Sequence, residues 1–338
     1  DLKKPEGVAI ANKLIASADV VGQNMRPGVA ERLNIGYHQV REVNPQVIYI
    51  FSPGFGDSGP RSHLPSFEPL NSAFVGIHYR SGGKDNPPVQ SISLDGFCGL
   101  LAASGVMMAL IYRQKTGEGQ YLDLSQLAAA MYYTSDTYKT ADGCVAKIAE
   151  LDSEQMGMGS LNRLYRTSDD WLCICSEKDR EWDALCKALK LEDLLEDPRF
   201  KSEGARASSG EALASILAPR FLERTSQEWF DRLDAQGAPC EIPTMRGEEQ
   251  LLHSHAYVDS GLVAEYSHPV WGLMREHGNV INLSETSGYI RGYAPRAGEH
   301  TEEILMELGY TKADFGDLLE QGVVYQAPER DANVLQTN

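Results

Sequence analysis

Six residues constrain the fold most. Val47 to Ser52 reads VIYIFS, a nearly unbroken apolar and β-branched run. That is the pattern of a strand buried on both faces, as found in parallel sheets covered by helices. Upstream, Pro5 to Ala18 (PEGVAIANKLIASA) has proline in the first turn and apolar residues at helical spacing. Asp19 to Val21 reads as a short strand and Gly28 to Leu33 as a helical turn. Gly36 to Asn44 is a second short helix, stopped by Pro45. Helix and strand alternating at this spacing predict an α/β fold with a parallel sheet.

The chain of 338 residues has room for two domains, or one large domain with an insertion. Its net charge of −17 argues against nucleic acid and against an anionic membrane surface, both of which need a basic face. A local basic pocket for a phosphate-bearing cofactor is compatible with it. No window reaches 18 apolar residues, so no transmembrane helix is expected. The opening DLKKPEGVAIANKL lacks a signal peptide's apolar core. Cys98, Cys144, Cys173, Cys175, Cys186 and Cys240 are scattered without CxxC pairs. They read as free thiols in a reducing, cytoplasmic compartment.

Further along, Gly54 to Pro69 is a loop dense in glycine and proline, followed by a short helix from Leu70 to Val75. A helix then runs from Asp95 to about Arg113. It is rich in small residues (Gly96, Gly99, Ala102, Ala103, Gly105, Ala109) that permit close packing or ligand approach. Residues 1–133 are expected to form the first segment of a large domain, and the polar stretch 134–155 a linker. A smaller domain is expected over 156–250, opening with GMGSLNRLYRTSDDWLCICS as a glycine-rich loop and a hairpin turning at Ser168–Asp170. Residues 251–326 are expected to hold a linker and a return segment, including a helix between Gly298 and Gly309. A polar extended tail over 327–338 completes the expectation.

The chain has no GxSxG, HExxH or Walker loop, and no GxGxxG that opens a helix after a strand; GFGDSG, Gly54 to Gly59, is a glycine-rich loop after one. Asp95, at a helix start, has two compatible readings: an N-cap favoured by the helix dipole, or a nucleophilic carboxylate. Gly96 and Gly99 leave room for a bulky acyl partner. The segment Gly157–Arg163 (GMGSLNR) offers backbone N–H groups for a carboxylate or an oxyanion, or is a flexible junction. Glu68, in LPSFEPL, is a third candidate, with a solvated loop carboxylate as the plainer reading. His253 and His255 read as a solvated helix-end pair, and no metal site is expected.

Five segments in order resemble the class III CoA-transferases, the family of formyl-CoA:oxalate and carnitine CoA-transferases. They are ADVVGQNMRPGVAERLNIGY, NPQVIYIFSPGFGDSGP, PPVQSISLDGFCGLLAASGVMMALIYRQKTGEGQYLDLS, LYRTSDDWLCI and APRAGEHTEEILMELG, in a match running from about residue 1 to residue 324. The resemblance implies a Rossmann-like large domain in two segments with a smaller α+β domain inserted, and chains interlocked as a homodimer. It implies CoA transfer from an acyl-CoA donor to a small carboxylic acid through anhydride and aspartyl-CoA thioester intermediates on Asp95. Gly157 and Gly159 would belong to a mobile glycine loop closing over the anhydride, and Glu68 would line the site. Asn24, Met25 and Val29 would line the adenosine side of coenzyme A. Arg32, with Arg26 as a weaker candidate, would reach adenine or phosphate.

Some positions depart from the family pattern. Pro53 and Pro65 stand where some members have lysines near the CoA, and Gln126 where some have methionine. The α-methylacyl-CoA racemases share the fold and use an acid/base histidine; here that position holds Phe67, with His63 nearby, which ranks racemase chemistry below transfer. The family begins with roughly 70–80 residues that have no counterpart ahead of Asp1. A fragment of a tandem fusion, a proteolysed product, or a short subunit completed by another chain would each account for that. Tandem fusions occur among transferases for onium acids such as dimethylsulfoniopropionate, so an onium acid is the expected substrate, with carnitine- or betaine-like acids and plain dicarboxylates as the open alternatives. A CoA-binding half whose fused partner performs the catalysis is the non-enzymatic alternative.

Overall fold

The VIYIF run forms the middle strand of a three-stranded parallel sheet. The computed structural model describes residues 1–90, 94–145 and 150–328. The sheet order is β1 (Val20–Gln23), β2 (Ile48–Phe51), β3 (Tyr121–Asp123), with Gly22 opposite Ile50 and Ile50 opposite Leu122. Ile48, Tyr49 and Phe51 are all buried, as a strand covered on both faces requires. Helices α1 (Pro5–Ser17), α2 (Val29–Arg32) and α3 (Tyr37–Val43) connect β1 and β2 to the rest of the chain. Ile15 and Val40 pack with Val47, Tyr49 and Phe51 in one apolar cluster. The Asn44 amide donates to the carbonyls of Ile15 and Ala18 at 3.0 and 2.8 Å, fixing where α1 ends.

Beyond β2, α4 (Glu68–Phe74) and α5 (Ile77–Gly82) lead to α6 (Leu94–Thr116), then β3 and α7 (Gln126–Tyr133). Two sequence expectations need correcting here. Glu68 is not a solvated loop carboxylate: α4 begins two residues earlier than expected, and Glu68, as its first residue, is only 4% exposed. Asp95 is not the N-cap but the second residue of α6, because Leu94 is already helical and buried. The small residues of α6 serve both expected purposes. A Cβ on Gly105 would lie 2.8 Å from the Leu122 side chain of β3, whereas one on Gly99 would meet nothing within 4 Å. Against expectation, α6 is long and apolar enough to cross a membrane by length and composition. Leu100, Met107, Met108 and Ile111 are exposed on it.

A second sheet, antiparallel, follows in the order β4 (Gly157–Gly159), β5 (Asn162–Arg166), β6 (Trp171–Cys175), β7 (Cys240–Glu241). The β5–β6 turn is stitched by Thr167, whose hydroxyl donates to the Asp169 carboxylate at 2.9 Å. Helices α8 (Asp179–Leu189), α9 (Glu203–Ser208), α10 (Gly210–Phe221) and α11 (Ser226–Gln236) complete this unit. Trp182, Leu185, Phe200, Phe221 and Trp229 share its one large apolar core. The GMGS segment is therefore a short edge strand rather than a free loop. A Cβ on Gly157 would fall 2.2 Å from the Asn162 carbonyl oxygen, so only glycine allows that pairing.

Helices α12 (Gly247–His253) and α13 (His255–Asp259) lead into a hairpin of β8 (Val263–His268) and β9 (Gly272–His277). Finally α14 (Thr301–Glu307) and α15 (Lys312–Glu320) return to α1: Leu305, Leu318 and Val323 pack with Ile10. The amino group of Asp1 donates to the Val323 carbonyl at 2.7 Å. All six cysteines are free thiols. Of the expected linker 134–155, residues 146–149 lie outside the described residues, as do residues 329–338 of the expected tail.

Candidate active site

A cleft of about 540 Å³ opens off the carboxyl ends of the three parallel strands. Asn24 follows β1, Ser52 and Gly54 follow β2, and Gln126 follows β3 after a short turn. That is where open α/β sheets place ligands, because the loops leaving the strand ends diverge there. The rest of the lining is Ser66, Phe67 and Glu68 at the start of α4, and Asp95, Cys98, Gly99 and Ala102 on α6. Asp95, Glu68 and Asn24, picked out separately in the sequence, thus share one cavity.

Local hydrogen bonds hold this lining in place. The backbone N–H groups of Gln126 and Leu127 donate to the carbonyls of Pro53 and Gly54, each at 2.9 Å, so the start of α7 is tied to the loop after β2. Ser125 caps α7 by accepting from the N–H of Ala128 at 3.0 Å. The Ser52 hydroxyl donates to the Leu124 carbonyl at 3.0 Å and lies 3.7 Å from the Cys98 sulfur. Glu68 accepts from the Ser72 hydroxyl at 2.5 Å, one turn along α4. Asp95 is exposed at the cleft, and its Oδ1 accepts a hydrogen bond from the Gln126 amide. Gln126 accepts in turn from Asn71, which also donates to the Ser66 hydroxyl, both at 2.7 Å.

Chemically, the cleft presents an accessible carboxylate on the first turn of a helix, where the positive end of the dipole favours negative charge. Beside it is open volume at Gly99 and Ala102. Among its lining residues there are two carboxylates and no lysine or arginine. Phe67, 75% exposed, offers an aromatic face. His63 is exposed and is not among the lining residues.

Other candidates lie elsewhere. Gly157 and Gly159 line a separate cleft of about 690 Å³ with Asp152, Arg163 and Glu211. Arg32 lines a third, of about 570 Å³, together with Lys3 and Lys4. That cluster of three cations was not singled out in the sequence, because lysines near a chain start carry no spacing signal. Met25, held through its N–H by the Gln23 side chain at 2.7 Å, is half-buried. Arg26 is exposed and Val29 half-buried. The structure thus joins Asn24 to Asp95 but does not bring Gly157, Gly159, Arg26 or Arg32 to the same cavity lining. His253 and His255 end α12 and begin α13, and among the described residues no group of three His, Cys, Asp or Glu is placed to hold a metal. Sequence reasoning also missed Asn71 and Ser66, whose roles exist only through contacts across α4 and α7.

Comparison with known proteins adds a direct finding. The model of CoA-transferase family III matches residues 1–301. An acyl-CoA transferase from Fusarium pseudograminearum is 30% identical over 96% of this chain and 71% of its own length. A succinyl-CoA:glutarate CoA-transferase from Mus musculus is 28% identical over 96% of this chain and 75% of its own. The α-methylacyl-CoA racemase of Homo sapiens is 28% identical over 94% and 82%. Among solved structures, a CAIB/BAIF family protein from Brucella suis superposes with a TM-score of 0.71 at 24% identity, over 91% of this chain and 80% of its own.

Proposed function

This chain belongs to CoA-transferase family III, and within that family we propose that it moves coenzyme A from an acyl-CoA donor to a small carboxylic acid with Asp95 as nucleophile. The observation that carries this reading is the convergence of Asp95, Glu68 and Asn24 on one cleft at the strand ends, with unfilled space beside Gly99. Asp95 attacks the donor thioester carbonyl, giving an acyl-aspartyl anhydride and CoA thiolate. The thiolate attacks the aspartyl carbonyl, giving an aspartyl-CoA thioester and the donor's free acid. The acceptor carboxylate displaces the thiolate to form a second anhydride, and the thiolate then takes the acceptor acyl group and frees Asp95. Covalent catalysis divides one difficult exchange into easier steps.

For the nucleotide end of coenzyme A, Asn24, Met25 and Val29 flank the adenosine in this reading, with Arg26 exposed next to them. Arg32 with Lys3 and Lys4 supplies the positive charge that its phosphates require. Gly157 and Gly159 act as a loop that closes over the anhydride, which requires movement from their present strand pairing. The acceptor is an onium acid such as dimethylsulfoniopropionate or carnitine. Two carboxylates and an exposed phenyl ring, in a lining that holds no lysine or arginine, favour a cationic headgroup. An interlocked homodimer in the cytoplasm completes the reading. The exposed Leu100, Met107, Met108, Tyr132 and Tyr133 support it as apolar surface for a second copy to cover.

The test is incubation with an acyl-CoA, then hydroxylamine, and mass spectrometry of the peptide containing Asp95. Modification at Asp95 is expected, and none with any donor refutes the mechanism. Racemase chemistry predicts deuterium entering the α-carbon of an acyl-CoA without an acceptor; Phe67 cannot transfer a proton, which disfavours it. A non-catalytic role predicts that Asp95→Ala leaves CoA transfer unchanged. Turnover of glutarate, L-malate or oxalate in preference to carnitine would overturn the onium-acid assignment alone.

A further inference from the structure

Gln126 is placed for more than lining the cleft. A carboxylate can only accept hydrogen bonds, so the group that Gln126 turns toward Asp95 Oδ1 is its NH₂ and not its carbonyl. The carbonyl Oε1 is engaged from behind by the Asn71 amide at 2.7 Å. The second N–H of Asn71 goes to the Ser66 hydroxyl at 2.7 Å. Asn71 is fully buried, and its own Oδ1 is buried without a hydrogen-bond partner among the described residues. Folding alone does not favour such an arrangement, because a buried polar atom left unpaired is a cost. It does fix the amide of Gln126 in one orientation. The backbone of Gln126 is fixed as well, through its bond to the Pro53 carbonyl.

We infer that Gln126 is a catalytic residue that stabilises the oxyanion formed on the Asp95 carbonyl, and that Asn71 is the positioning residue that aims it. The inference rests on the proposed role of Asp95 as nucleophile. In the second step the CoA sulfur bonds to the Asp95 side-chain carbon, and the C=O electron pair moves onto Oδ1, which Gln126 already contacts. Collapse restores the C=O bond and breaks the bond to Oδ2, which leaves with the acyl carbon as the donor's carboxylate. The third step places charge on Oδ1 again, when the acceptor oxygen attacks the same carbon and the thiolate leaves. Neither step needs a proton. In the first step Gln126 occupies Oδ1 and leaves Oδ2 free to attack. A donor placed in advance where charge develops stabilises that state without reorganising.

The experiment mixes the enzyme with acyl-CoA and no acceptor, quenches at set times, and measures covalent CoA on the Asp95 peptide by mass spectrometry. If the unmodified enzyme forms no adduct, the nucleophile reading has failed and this inference falls with it, before any variant is compared. With the adduct seen, Gln126→Met, which keeps length but removes the donor, is expected to slow its formation about 100- to 1,000-fold. Acyl-CoA affinity is expected to stay within about threefold. Gln126→Glu is nearly isosteric and donates only when protonated, so its pH–rate profile is expected to shift to the acid side. Asn71→Leu is expected to slow the same step by a smaller factor. Adduct formation at the original rate in Gln126→Met, or an unchanged pH profile in Gln126→Glu, overturns the inference. If Gln126→Met fails to fold, as its melting curve would show, the pH profile of Gln126→Glu decides alone.

Discussion

The antiparallel unit and the parallel-sheet unit are packed very differently. Between Leu161 and Ala238, eighteen buried apolar residues join in one cluster, with Trp182, Phe200, Phe221 and Trp229 at its centre. Around the parallel sheet, the described clusters are small: five buried residues in one, three in another. The one long helix there, α6, leaves Leu100, Met107, Met108 and Ile111 exposed. Yet the candidate nucleophile and the cleft belong to this thinly packed part. Packing density and chemistry have been separated, so substitutions in the two parts should fail in different ways.

The largest effect expected is on chemistry alone. Asp95→Asn removes the candidate nucleophile and should lower CoA transfer by about 10⁴-fold or more. Its melting temperature should hold, because Asp95 is exposed and its described side-chain bond is the one to Gln126. A CoA-transfer assay beside a melting curve checks both. The second is the reverse case. Trp229→Ala empties the middle of the large core, where the indole N–H donates to the Phe221 carbonyl at 2.7 Å and the ring meets Phe221 edge-on. A loss of about 3–5 kcal/mol is expected in denaturant unfolding, with the folded fraction still able to acylate Asp95. Equal losses of stability and of Asp95 acylation in both variants would break the comparison.

Smaller effects sharpen it. Thr225→Ala removes the capping box of α11, in which Thr225 and Glu228 satisfy each other's N–H groups. About 1 kcal/mol of stability should go, with no change in transfer. Gly99→Ala should act in the opposite sense, gaining about 0.5–1 kcal/mol for the helix while lowering kcat/KM for bulky acyl groups. The smallest effect is electrostatic. Burial, then the neighbouring Asp57, raises the Asp123 carboxyl above its ordinary range. The folded state therefore holds that proton more tightly than the unfolded chain, and its favourable contribution is lost as pH rises past the raised value. Asp57→Asn should raise the melting temperature slightly at neutral pH, and the gain should vanish below the ordinary carboxylate range.

What the sequence made legible follows the same division. The parallel sheet could be read from Val47–Ser52 because a doubly buried strand leaves an apolar run that needs no partner to be seen. The place of Asp95 near a helix start could be read because a carboxylate before a run of small and apolar residues is a local pattern. The β5–β6 hairpin declared itself by its turn. Glu68 was misread as solvated because its burial depends on α4 starting at the residue after Phe67. The glycines of GMGS looked like a loop because close strand pairing with Asn162 and Arg163 is invisible from one strand. Asn71 and Gln126 stand 55 residues apart in sequence, and no local pattern links them.

The empty space beside Gly99 has a consequence for how this chain changes over generations. On a helix, alanine is the more stable occupant, and nothing here stands in the way of a methyl group. Drift under selection for folding alone would therefore fill the position. A glycine retained there across related chains would record continuing selection for room next to Asp95, and its replacement in a lineage would date the loss of that need, or a turn to smaller acyl groups.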